Sequence, residues 1–212
     1  YIVTTGANLY HDLHHSLDLP LTQGTPFVND NELFENDIIR IYDIFMDYEV
    51  LAATDNWLMR TFSRPEFQKR MGTRELHYLL GKFADEIEQE RGTVGKSFIA
   101  EAYRYEVPIY TSSPGDSTLG LDIAALNLVG KDIQIDPSID VNETAALVLE
   151  AKQVGKSGVV VWGGGSPKNF ILQPEPALQE VLGFDIKGHD YFVQVTDARP
   201  DTGGLSGATP NE

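Results

Sequence analysis

Residues 158–167 read "GVVVWGGGSP". A run of uncharged, mostly β-branched residues of this length reads as a strand buried on both faces. Gly163, Gly164 and Gly165 end it, and Pro167 suits the first turn of a following helix. A strand that passes at once into a helix is half of a strand–helix–strand unit, so the fold depends on whether the rest of the chain repeats the pattern.

It does, working outward in both directions. Upstream, "DIQIDP" (132–137) is a short strand and "DVNETAALVLEAKQVGKS" (140–157) a helix with Asp140 or Asn142 as its expected cap. "VPIYTSS" (107–113) is a strand before the helical "DIAALNLVG" (122–130). "SFIAEAYRYE" (97–106), "RPEFQKRM" (64–71) and "TRELHYLLGKFADEIEQER" (73–91) read as helices. In the last of these, Leu76, Leu79, Leu80, Phe83 and Ile87 trace one apolar stripe that Arg91-Gly92 stops. "DIIRIYDIFM" (37–46) is short and mixed, and "DLPLTQGTPFVNDNE" (18–32) is a loop. At the start, "YIVTT" (1–5) is a strand leading into the helical "GANLYHDLHHSL" (6–17). Downstream, "HDYFVQVTDA" (189–198) is the last strand, before a glycine-rich tail. Such alternation predicts an α/β fold, a parallel sheet with helices on both faces and therefore three layers.

The 212 residues are 42% hydrophobic and 10% aromatic, enough for one sizeable core, so residues 1–212 are expected to form a single domain. No apolar run approaches the ~18 residues of a membrane helix, and no basic, signal-like segment precedes the first strand. With no cysteine, disulfides and thiolate chemistry are excluded, which fits a cytoplasmic location. The net charge of −16, without clustered Lys and Arg, argues against nucleic-acid binding. It suits a solvated surface or cationic partners such as amines.

In open α/β sheets ligands bind beyond the carboxyl ends of the strands. Four strand ends carry small or polar residues: "TTGAN" (4–8), "TSSPGDSTLG" (111–120), "WGGGSPKN" (162–169) and "TDARPDTGGLSGATPNE" (196–212). Free amides at a helix start favour phosphate, and the triple glycine is the best single candidate for a pyrophosphate contact, although it is not a G-x-G-x-x-G fingerprint. Asp116 and Asp197, each just past a strand, are natural acceptors for ribose hydroxyls.

Three of the five histidines lie in "YHDLHH" (10–15). His11, His14 and His15 share one helix face. The zincin pattern H-E-x-x-H is absent, and the nearby acid, Asp12, lies about 100° around the helix from His11. No third ligand is evident, so no metal is expected. His14 and His15 read as solvent-facing, whereas His11 is placed to line a cleft.

Together, "VTTGANLYHDL", "LFENDIIRIYDI", "ELHYLLGKF", "VPIYTSSPGDSTLG", "VVVWGGGSPKNF" and "DYFVQVTDARPDTGGLSGATPNE" resemble the deoxyhypusine synthase family, nearest to its bacterial deoxyhypusine synthase-like branch. The resemblance implies a Rossmann-like fold, bound NAD and a homotetramer with active sites at dimer interfaces. It implies transfer of an aminobutyl group from spermidine, through an enzyme lysine, to an acceptor amine. That amine is a lysine of a translation-factor precursor or, in some bacterial relatives, putrescine, giving homospermidine.

By resemblance, Thr5, Gly6, Ala7, Asp116, Gly164, Asp197 and Ala198 contact NAD. The polyamine positions are Tyr10, His11, Asn169, Gly203, Gly204, Leu205 and Glu212. Several depart from the family pattern. Two consecutive glutamates become Tyr10 and His11, an aspartate becomes Leu121 with Asp122 shifted by one place, a polar ligand becomes Asn169, and the acid of a G-S-D turn becomes Leu205. Holding a polycation out of water needs carboxylates or aromatic faces, so these changes weaken or re-aim the amine pocket. The family continues from Glu212 into A-V-S-W-G-K, whose lysine is the nucleophile. That residue is expected just beyond this chain, and family members also begin before a strand like "YIVTT". Lys168 is a poor substitute. The alternatives are transfer to putrescine, an NAD-binding relative without transfer, and, more remotely, a metal-dependent hydrolase.

Overall fold

The first strand and helix set the frame. Strand β1 (Ile2–Val3) runs into helix α1 (Gly6–Ser16), whose N-cap is Thr5, its hydroxyl accepting from the Asn8 amide at 3.2 Å. The computed structural model describes residues 1–209, so Glu212 lies outside the described residues. After α1 come β2 (Thr22–Gln23), α2 (Asp30–Glu35), β3 (Ile38–Ile41), β4 (Ile44–Asp47) and α3 (Tyr48–Phe62). Then follow β5 (Arg70–Met71), α4 (Thr73–Arg91), α5 (Phe98–Arg104), β6 (Ile109–Tyr110), α6 (Thr118–Leu128), β7 (Gln134–Ile135) and α7 (Pro137–Val154). Strand β8 (Gly158–Trp162), α8 (Gly165–Leu172), helical turns at Pro174–Pro176 and Ala177–Val181, β9 (Tyr191–Val195) and a 3-10 turn at Pro200–Thr202 follow.

The architecture is α/β, but the strands do not form one sheet. Among the described residues, β1 pairs with β6, β5 with β7 and β8 with β9, each in parallel, while β2, β4 and β3 form an antiparallel meander. Several strands are two residues long, so helix packing carries most of the fold. The main core gathers Leu9 and Leu13 of α1, Leu58 and Phe62 of α3, Leu76, Leu80 and Phe83 of α4, Ile99 of α5 and Ile123 of α6. A smaller cluster joins Val148 of α7 to Leu178.

Four local expectations are corrected. The apolar run in β8 is not buried on both faces: Val159 and Val161 are 4% and 8% exposed, Val160 and Trp162 57% and 81%. The two-stranded β8–β9 ladder is covered on one side only. Residues 64–71 form a short 3-10 turn (Pro65–Phe67) and then β5, because Arg70 and Met71 pair with Gln134 and Ile135. The stretch expected as a loop (18–32) holds β2 and the start of α2.

The cap of α7 is Asp136, whose carboxylate accepts from the Ser138 amide at 2.9 Å. Asp140 instead accepts from the Thr73 amide at 2.8 and 2.9 Å, closing the N-terminus of α4 from another helix. Asp12 of α1 does the same for α5, accepting from Phe98 and Ile99 at 3.1 and 3.0 Å.

Candidate active site

Three close approaches bring the predicted strand ends together. A Cβ on Gly6 would lie 2.2 Å from Ser117 Oγ, so the first turn of α1 sits directly on the loop that carries Asp116. Beyond β6, Ser112 Oγ lies 2.7 Å from Ser166 Oγ, tying that loop to the first turn of α8. A Cβ on Gly164 would lie 2.6 Å from Ser206 Cα, and the Gly165 amide donates to Ser206 Oγ at 2.8 Å. At Gly6 and Gly164 only glycine permits the approach. Gly163 and Gly165 have φ of +82° and +64°, and a Cβ on either would meet open space, so backbone faces outward there.

Lys168 of α8 is buried and donates to Gln194 Oε1 at 3.0 Å, Ser206 O at 3.3 Å and Ala208 O. Its three N–H donors pin the 206–208 segment beneath the triple-glycine turn.

A groove of about 960 Å³ opens beside this junction, lined by His11, Asp12, Phe98, Trp162, Gly164 and Lys168 among others. On the other side of the α1 N-terminus lies a cavity of about 210 Å³, lined by Gly6, Thr111, Gly115 and Ser117 over an apolar floor. Thr5, Gly6, Ala7, Asp116 and Gly164 therefore lie on contiguous segments around one junction, with Ala7 and Asp116 exposed. Asp197 and Ala198 lie in the loop after β9, where the Ala198 amide donates to Thr196 Oγ1 at 3.1 Å, and line neither cavity. Gly203 (φ +72°), Gly204 and Leu205 form an exposed turn, and Asn169 is exposed on α8.

The histidine face differs from its expectation in one place. His15 is exposed, but His14 is fully buried. His14 Nδ1 lies 2.8 Å from Thr54 Oγ1, and His14 Nε2 lies 3.0 Å from His11 Nδ1. Burial, and then the charges of His11 and His15, bring His14 down to about 4. His11 is half-buried and is lowered by desolvation. Tyr10 turns away from the groove: its hydroxyl donates to Asp55 Oδ1 at 2.6 Å, and its ring packs edge-on against both His11 and His14.

Asp122 of α6 completes this cluster. Burial, with the charge of Asp55 adding to it, raises Asp122 to about 7, and its Oδ2 has no hydrogen-bond partner among the described residues. Sequence reasoning had no route to Thr54 or Asp55, because helix α3 was not assigned. Among the described residues, no group of three His, Cys, Asp or Glu side chains is placed to hold a metal ion, and no helix is long and apolar enough to cross a membrane.

Comparison with known proteins follows the same line. The family model described as deoxyhypusine synthase matches residues 1–212. A deoxyhypusine synthase-like protein of Nostoc punctiforme is 56% identical over all of this chain and 55% of its own length. One from Thermosynechococcus vestitus is 54% identical, over 54% of its length. A probable deoxyhypusine synthase 2 of Methanosarcina acetivorans is 40% identical, over 59% of its length. The chain thus spans little more than half the length of these curated relatives. With every predicted motif inside the matched span, the chain belongs to the deoxyhypusine synthase family.

Proposed function

We propose that this chain is the cofactor- and amine-binding part of an NAD-dependent aminoalkyl transferase acting on a polyamine such as spermidine. What supports this reading above all is the meeting of the α1 N-terminus, the Asp116 loop and the triple-glycine turn at one junction, within a family that transfers aminobutyl groups.

The residues present fit a dinucleotide. Gly163 and Gly165 leave backbone uncovered at the start of α8, although their amides are taken by Val195 O and Ser206 Oγ. Helix α8 therefore offers a pyrophosphate the positive end of its dipole, and α1 offers its own together with the first-turn amides of Gly6 and Ala7. Asp116, exposed beside the α1 N-terminus, is an acceptor for ribose hydroxyls. Asp197 and Ala198 are assigned a second contact by family position. When bound, NAD supplies a reversible hydride acceptor next to the amine-bearing carbon.

The chain's own part is to hold and desolvate the amine. Trp162 and Phe98 offer aromatic faces along the groove for a methylene chain and its cationic ends. His11 stands where the family carries an acid. Tyr10, Asn169, Gly203, Gly204, Leu205 and Glu212 remain proposed substrate positions, Tyr10 by shaping the wall through Asp55. Lys168 lines the groove, but its donors hold the 206–208 segment, so the nucleophile's role goes to the lysine of the family's A-V-S-W-G-K stretch. The single domain, the homotetramer and the cytoplasmic setting belong to the same proposal.

The test is full-length protein incubated with NAD and spermidine. Release of 1,3-diaminopropane and a borohydride-trapped lysine adduct support transfer. Homospermidine formation with added putrescine identifies the free-amine acceptor, and modification of a translation-factor lysine identifies the protein acceptor. A second reading, NAD binding without transfer, is favoured by the burial of Tyr10 away from the groove, and it predicts NAD binding with no amine turnover.

A further inference from the structure

The buried histidine fixes the proton of the exposed one. Thr54 Oγ1 donates to the Val50 carbonyl at 2.9 Å. A hydroxyl has one proton, and a carbonyl can only accept. The contact between His14 Nδ1 and Thr54 Oγ1, 2.8 Å, must therefore run from the imidazole to the hydroxyl. Neutral His14, protonated on Nδ1, has only a lone pair on Nε2. His11 Nδ1, 3.0 Å away, must then be the donor. That leaves a lone pair on His11 Nε2, which has no partner among the described residues, on a side chain that lines the large groove. The rings are held edge-on, with centroids 5.2 Å apart for His11 and His14 and 5.1 Å apart for Tyr10 and His14.

We propose that Thr54 and His14 lock His11 in its Nδ1–H tautomer, so that His11 Nε2 faces the groove as the base that takes the proton of an ammonium substrate. Thr54 and His14 are positioning residues in this relay, and His11 is the catalytic residue.

The proposal rests on the amine-transfer function and deepens it. At neutral pH an alkylamine is an ammonium ion, and its nitrogen needs a free lone pair before the neighbouring carbon can be oxidised. The proton passes from the ammonium nitrogen to His11 Nε2. One N–H bond breaks, another forms, and the electron pair stays on the amine. The imidazolium then returns the proton to water at the mouth of the groove. No co-reactant is needed.

The other charged and titratable groups around the pair are accounted for. On α1, Asp12 is engaged by two amides of α5, and His15 is exposed. From α3, Asp55 accepts from Tyr10, and from α6, Asp122 adds the groups behind it. From α8, Lys168 is pinned, and Tyr1 lines the far wall. Because burial keeps His14 neutral down to about pH 4, the lock holds across the physiological range.

The experiment uses full-length protein labelled with ¹⁵N-histidine. Two-bond proton–nitrogen spectra report the tautomer of His11 directly, without any substrate. The expected result is Nδ1–H in the wild type. In Thr54→Val, His14 loses its acceptor and moves its proton to Nε2, and His11 switches to Nε2–H. In the same variant, kcat/KM for the amine falls about 10²-fold, in the range of general-base effects. NAD affinity is unchanged, the acidic limb of the pH–rate profile moves, and Thr54→Ser restores both tautomer and rate.

His11 protonated on Nε2 in the wild type, or a Thr54→Val protein with wild-type tautomer and rate, overturns the proposal. If the tautomer switches as expected but wild-type protein turns over no amine, the transferase reading and His11's role as its base fall, while the tautomer lock stands. Melting curves for Thr54→Val and Thr54→Ser separate a misfolded variant from an informative one.

Discussion

Helix α1 has two working regions built in different ways. Its N-terminal turn, Thr5 to Ala7, meets its neighbours through backbone, small residues and glycine close approaches. Its middle, Tyr10 to His14, is defined by side chains reaching segments forty or more positions away. The first kind of site is a property of chain geometry and tolerates few substitutions. The second can exchange a carboxylate for an imidazole while the helix stays in place. The proposed cofactor end therefore keeps the family pattern, and the proposed amine end departs from it.

The sharpest way to break this comparison is to add a side chain at the backbone-built end. In Gly164→Val, Cβ would fall 2.6 Å from the backbone of Ser206, and backbone cannot swing aside. Titration should show NAD affinity reduced by at least about a hundredfold, roughly 3 kcal/mol. Lys168→Met comes next. It leaves the Ala208 carbonyl without its donor and the Ser206 carbonyl with Gln194 Nε2 alone, which should cost about 1–3 kcal/mol in denaturant unfolding, with NAD affinity falling as a consequence.

Asp116→Ala removes a proposed charged hydrogen bond without touching the packing. About tenfold weaker NAD binding is expected, near 1.4 kcal/mol, with the melting temperature unchanged.

The side-chain-built end should answer to pH instead. Asp122 is raised to about 7 in the folded chain against an ordinary value of 3.8. The folded state therefore holds this proton more tightly than the unfolded state. The resulting stability is fully present below about pH 4 and is lost as pH rises through 7. Asp122→Asn should flatten the fall in melting temperature between about pH 4 and 7.

His14 and His77 carry the opposite sign. Both are lowered to about 4, mainly by burial, so the stability they contribute is present above 6.5 and is lost as pH falls toward 4. His15→Gln, on the exposed side of the same helix, should move stability by less than about 0.5 kcal/mol.

The contrast also explains what could be read in the sequence. Helix α4 was legible because its stripe is apolar and its end is a glycine, Gly92, with φ of +70°. Helix α1 and the strand ends were legible because turns demand particular residues. Helix α3 was not, because its buried stripe runs Val50, Thr54, Leu58, Thr61 and Phe62. Two threonines interrupt the apolar signal, and one of them, Thr54, is the partner of His14. The burial of His14 was hidden for the same reason, since its partner lies forty positions away.

The continuous parallel sheet was over-read. Alternation of strand-like and helix-like segments predicts order along the chain, but strands two residues long do not by themselves fix which edges meet. In β8, composition suggested burial on both faces, whereas Val160 and Trp162 face out because one side of the ladder is uncovered. The capping role of Asp140 toward α4 is another contact between distant helices that no local pattern announces.

The most direct test of the central claim is calorimetric titration of NAD into full-length wild-type protein and into Gly164→Val under identical conditions. Saturable binding to the wild type that disappears in the variant is the predicted result. Absent heat in the wild type, or equal affinity in both proteins, would contradict a dinucleotide site where the α1 N-terminus meets the triple-glycine turn.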